Sequence, residues 1–230
     1  MEVDKTRPPF ICAGNLEDRQ SKKILTFGLA PHSLSEPIPE SLEDYYRWRV
    51  DYFNVDRMPH PLHGYFAHIC WGILGQNPPE KSAWARWLHN NGYLTFDLVP
   101  YYVKGWKSPD WEDYKVFKIV ENHFRSCMDI LKGHEIRLAI FSGKAWEELL
   151  VSNQPSRLLC RFRVEHSFPL SEITGRGYHR CKVYIGEISL EDHSIQAVVI
   201  AHLLHAIWGF KYEHALGLGD YIRKFIKLPN

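Results

Sequence analysis

Four short, almost wholly apolar runs constrain this chain more than any other feature: residues 24–29 (ILTFGL), 93–98 (YLTFDL), 136–141 (IRLAIF) and 195–201 (IQAVVIA). A strand with one face in water alternates polar and apolar residues, whereas these runs are built for burial on both faces, as in a parallel sheet. Between them lie stretches with helix signals. Ser41 and Asp44 form a capping-box pattern that opens a helix over about 42–53, and further helices are expected over 65–74 and over 82–90, stopped by Asn91-Gly92. Ser108-Pro109 starts another, carrying Val116, Val120, Phe124, Cys127 and Leu131 at helical spacing, and two more are expected over 144–151 and 212–227. With 183–188 as a further strand, the alternation predicts an α/β chain: a three-layer α/β/α sandwich around a central, mostly parallel sheet. Residues 1–23, polar and containing Pro8-Pro9, read as an irregular lead-in, and 24–230 as a single domain.

Composition narrows the function classes. Hydrophobic residues make up 45% of the 230, enough for a real core, so disorder is excluded as a description of the whole. The five cysteines (Cys12, Cys70, Cys127, Cys160, Cys181) are scattered and odd in number, which argues against a disulfide framework, a zinc ribbon or a four-cysteine iron–sulfur site. Met1-Glu2-Val3-Asp4-Lys5 opens without a signal-type apolar segment, and the longest apolar run, 197–210, is too short to span a bilayer. A cytoplasmic, monomeric protein with no membrane contact, cofactor or metal is expected. The formal charge of +1 hides segregation: residues 36–56 hold six acidic and two basic residues, and residues 157–182 hold six basic and two acidic. The basic stretch, with Arg176, Tyr178, Arg180 and Lys182 around Gly175 and Gly177, suits phosphate contact, although a solvated charged loop has the same composition.

In sheets of this class, ligands bind beyond the carboxyl ends of the strands. Four loops qualify: 30–35, 97–104, 142–144 and 202–210. Gly28-Leu29-Ala30-Pro31-His32 permits close backbone approach to a ligand, or is an ordinary tight turn. Asp97 ends an apolar strand, where a carboxylate either caps loop amides or is used. His202 and His205 close the last run; no Cys or carboxylate stands at a supporting spacing, so a metal site is not favoured over a structural role. Ile207-Trp208 beyond them is either core or a wedge for a base stack.

In order along the chain, these loops resemble the uracil-DNA glycosylase superfamily. Gly28-Leu29-Ala30-Pro31-His32 is similar to its first motif, and His63-Gly64-Tyr65-Phe66-Ala67 puts Phe66 where an aromatic stacks on the flipped base. Residues 94–100 (LTFDLVP) resemble the strand that ends in a base-reading Asn, and 140–145 (IFSGKA) the strand–Gly–helix step before the last motif. Ala201-His202-Leu203-Leu204 stands in the place of a His-Pro-Ser motif, followed by a minor-groove wedge loop. The resemblance implies a glycosylase-like fold and DNA as partner. Gly28, Leu29, Ala30, Pro31, Phe66 and Asp97 would bind the base. His202 would stabilise charge on the leaving pyrimidine, and Ile207 and Trp208 would fill the vacated stack. Ser142, Lys144, Arg176, Tyr178, Arg180, Lys182 and His205 would hold DNA. Ala30 stands where many members carry the group that positions water, leaving His32 and Asp56 as candidates for that work.

Asp97 in place of Asn is the departure with most content. An amide both donates and accepts, an ionised carboxylate only accepts, and cytosine presents an amine donor where uracil presents a carbonyl. The expected activity is therefore excision of a modified cytosine, hydroxymethylated or glucosylated as in phage DNA, by base flipping and hydrolysis of the N-glycosidic bond. A repair enzyme for uracil or another deaminated base, with Asp97 protonated, is the alternative. A non-catalytic DNA-binding module on the same fold is another.

Overall fold

The computed structural model describes residues 3–4, 12–16, 18, 22–29, 61–78, 83–100, 102–103, 110–152, 161–175, 180–190 and 193–228. The strands are β1 (Val3–Asp4), β2 (Lys23–Phe27), β3 (Tyr93–Phe96), β4 (Tyr102–Val103), β5 (Ile136–Ser142), β6 (Arg161–Pro169), β7 (Lys182–Leu190) and β8 (His193–Ile200). The helices are α1 (Pro61–Leu74), α2 (Trp84–Asn90), α3 (Tyr114–Leu131), α4 (Lys144–Leu150), α5 (Ser171–Thr174) and α6 (Tyr212–Ile222), with a 3-10 turn at Leu204–Ala206 before the last.

All four apolar runs became neighbours in one six-stranded sheet of order β3-β2-β5-β8-β7-β6. The first four strands are parallel, and β7 and β6 continue the sheet antiparallel. Period-two alternation sorts the strand residues into two layers. Ile24, Tyr93, Leu138, Ile140, Val198 and Ile200 pack with α1, α2 and α6, while Leu25, Phe27, Leu94, Phe96, Ala139, Phe141, Ala197 and Val199 pack with α3 and α4. Helices thus cover both faces, the arrangement that double-sided apolar strands require. A separate two-stranded pair joins β1 to β4. Among the described residues no helix is long and apolar enough to cross a membrane.

Several expectations change. The helix expected from Ser108-Pro109 begins at Tyr114, where the Asp113 side chain accepts the Lys115 N–H at 2.9 Å. The last helix ends at Ile222 instead of 227. Among its described residues, the basic stretch 157–182 is largely not a loop: Arg161 and Arg163 lie on β6, and Lys182 starts β7. Arg163 is tied by ion pairs to Glu165 (2.9 Å) and Glu187 (2.8 Å). The helix over 42–53 and the acidic stretch 36–56 lie outside the described residues.

α1 and α6 touch through their backbones. A Cβ on Gly72 would strike Leu216 O and Asp220 N, and one on Gly219 would strike Ile69 O, so only glycine allows this approach.

Candidate functional site

At the carboxyl ends of its parallel strands the sheet has a switch in strand order, the place where sheets of this class open a crevice. From β2 the chain crosses to β3 on one side and later to β5 on the other, which makes β2 and β5 the strands flanking a topological switch point. Beneath it lies an aromatic floor. Phe27 stacks on Phe96 (5.2 Å between centroids) and on Phe141 (4.5 Å), and Trp146 meets Phe27 and Phe141 edge-on. These rings come from the last turns of β2, β3 and β5 and from the first turn of α4, so they fix the heights of the strand ends relative to one another.

Above the floor the loops are sewn together by main-chain bonds. Gly28 N–H donates to Phe96 O (2.8 Å), while Gly28 O accepts from Leu98 N–H (3.2 Å) and from the Trp146 indole N–H (2.6 Å). Val99 N–H donates to Leu29 O (3.2 Å). On the other flank, Gly143 N–H donates to Ile200 O (2.9 Å) and Ser142 Oγ to His202 O (2.9 Å). Gly143 has φ +122°, and a Cβ there would overlap the Leu29 side chain. Three of the four loops flagged in the sequence therefore join Gly28-Leu29 at one sheet end. Ala30, Pro31, His32, Asp56, Arg176 and Tyr178 lie outside the described residues.

Asp97 occupies the β3 side. Its Oδ1 sits so close over Gly28 that any Cβ there would collide with it. Although part of its surface reaches solvent, surrounding protein atoms strip most of its hydration, and this burial raises its pKa from 3.8 to about 7. Among the described residues no Lys or Arg pairs with it.

His123 is the residue the sequence reading missed. It lies on α3, 6% exposed, and its ring bonds the Asp97 backbone while Nε2 lies 3.7 Å from Cys127 Sγ. Burial lowers its pKa to about 4, so the ring is neutral and clamps the end of β3 to α3. The available signal was a histidine inside an apolar stripe, between Val120 and Phe124.

On the β8 side, His202 is exposed, and its Nδ1 lies 3.1 Å from Leu203 O. Ile207 (7% exposed) and Phe210 (4%) are buried anchors that hold Trp208 out at 94% exposure, with Gly209 at φ +75° completing the turn. Ile207 is thus core, and Trp208 alone of the pair projects. Phe66 does not line the surface of the crevice: it is 1% exposed and packed in the α1–α6 layer. α1 is apolar on every side, so spacing could not say which residue faces where.

The remaining cations divide by strand end. Lys182 pairs with Pro169, and its carbonyl accepts the Ala201 N–H, which sets Lys182 and neighbouring Arg180 beside the end of β8. Both are exposed. Arg161 pairs with Ser189 at the opposite end of the hairpin, about 25 Å away at 3.3 Å per residue. Lys144, after β5, is exposed and pairs with Glu148 at 3.7 Å. His205 lies in the 3-10 turn that follows His202. No metal-ligating group of three or more His, Cys, Asp or Glu exists among the described residues.

No family model matches the chain, and no curated protein matches it.

Proposed function

We propose that the chain is a DNA glycosylase that takes a flipped pyrimidine, a 5-modified cytosine, into the crevice and hydrolyses its N-glycosidic bond to leave an abasic site. The observation that carries this reading is Asp97: a desolvated carboxyl without a cation partner among the described residues, at the carboxyl end of a strand beside a switch point. Gly28 brings bare backbone against it, and His123 holds its main chain, so the group is fixed while its edge can meet a base. Exposed Lys144, Arg180 and Lys182 on the same sheet end supply phosphate contacts, and Trp208 a projecting ring for the vacated stack.

One observation admits uracil as a second reading. A carboxyl with a pKa of about 7 is half protonated near neutrality, and the acid form both donates and accepts. That form matches the cytosine edge (N3 acceptor, N4 amine) and equally the uracil edge (O4 acceptor, N3–H).

The test is incubation with duplexes carrying uracil, cytosine, hydroxymethylcytosine or glucosylated hydroxymethylcytosine, followed by alkali to cut abasic sites. Cutting at a 5-modified cytosine is expected. Cutting at uracil alone would favour the second reading, and binding without any abasic product would leave only the non-catalytic module.

A further inference from the structure

The glycosylase reading leaves water activation unassigned, because Ala30 has neither carboxyl nor amide and the candidates His32 and Asp56 lie outside the described residues. The geometry of His202 supplies a group for it. A carbonyl oxygen can only accept, so the Nδ1 that lies 3.1 Å from Leu203 O must carry the proton. In the neutral ring Nε2 is then bare, with its lone pair available, and no hydrogen bond occupies it among the described residues. A neutral ring in this tautomer cannot donate from Nε2 to a leaving base, which is the role the resemblance implies. It can accept a proton.

Position favours the same conclusion. β3 and β8 are three strand spacings apart in the sheet, about 14 Å between axes. Asp97 and His202 therefore follow strands that end on the same edge of the sheet, at a separation that one base and its sugar would span if a base read by Asp97 turned its glycosidic bond toward the β8 side. His202 is held there by the Ser142 hydroxyl on its carbonyl and by the Gly143–Ile200 bond just before it. Its exposure lets water reach the ring and lets the proton leave afterwards.

Resting on the glycosylase reading, we infer that His202 is the general base of the reaction: its bare Nε2 takes a proton from the water that attacks the sugar. The water oxygen forms a bond to C1′ as the C1′–N1 bond breaks. The bonding pair leaves with the base, which takes up one proton from the Asp97 acid form or from solvent. The proton held by the imidazolium returns to bulk water, so the balance is that of a simple hydrolysis.

Two measurements test this. Long-range ¹H–¹⁵N NMR of the free protein reads the His202 tautomer, which should be the Nδ1–H form. Single-turnover excision by wild type and His202→Ala is then compared on duplexes carrying cytosine, 5-fluorocytosine and 5-hydroxymethylcytosine. A general base predicts a loss of about 10²–10⁴-fold, similar for good and poor leaving groups and partly restored by added imidazole. An Nε2–H tautomer, or a loss that grows as the leaving group worsens without imidazole rescue, overturns the inference while the glycosylase reading stands. A wild-type protein that yields no abasic product on these duplexes or on the wider panel overturns both.

Discussion

Replacing Asp97 by Asn should make the protein more stable, and only above mildly acidic pH. Burial lifts the carboxyl from 3.8 to about 7, a gap of about three units, or about 4 kcal/mol at 1.36 kcal/mol per unit. Below pH ~4 the folded and unfolded chains both hold the proton, and the group does not affect their difference. Between about 4 and 7 the unfolded chain releases its proton while the folded chain keeps it, so stability falls as pH rises; above 7 both are ionised and the whole penalty remains. The amide has no charged form to desolvate. Because Asp97 retains some solvent contact, the expected gain for Asp97→Asn at pH 8 is about 2–4 kcal/mol, shrinking to near zero at pH 4. Urea unfolding followed by tryptophan fluorescence at the two pH values measures this, with the m-values checked for constancy. A variant less stable than wild type at pH 8, or a difference independent of pH, would refute the claim that the fold holds a desolvated carboxyl here. The predicted outcome has a corollary. A side chain that weakens the fold at the working pH is retained for something other than folding.

Two more expectations follow from the same end of the sheet. Gly28→Ala should push the Asp97 carboxyl aside, destabilising by about 1–3 kcal/mol and cutting excision at least about tenfold; full activity in single-turnover assays would separate Gly28 from the reaction. Trp208→Ala should leave the urea midpoint within about 0.5 kcal/mol of wild type yet weaken duplex binding in fluorescence anisotropy. Unchanged affinity would take the ring out of the DNA surface.

The parallel half of the sheet was legible because its strands are buried on both sides and read as unbroken apolar runs, and because each ends at a Gly, Asp or His that the core would otherwise exclude. Of the antiparallel half, β7 was legible as the strand expected over 183–188, and β6 was not. Of the nine residues of β6, all from Arg161 to Ser167 except Phe162 are exposed, so neither period two nor an apolar run marks it, and its arginines read as a loop. Asp97 could be found as a polar residue in an apolar strand, but not its partner His123, whose helical stripe reads equally well as core. Phe66 failed for the opposite reason. Its helix is apolar on all sides, and only the glycine contacts with α6 decide which way it turns.

Those contacts also bear on how the molecule can move. Helices that meet through side chains can slip by changing rotamers, but α1 and α6 meet main chain to main chain at Gly72 and Gly219, and there is nothing between them to give. The segment with His202 and Trp208 is therefore anchored between β8, an interior strand of the sheet, and α6, which is packed main chain to main chain on α1. Between them the turn closes at Gly209, whose φ of +75° favours glycine. Under the proposed glycosylase reading, this backbone-to-backbone packing would leave the bending that brings a nucleotide to this end of the sheet to the duplex.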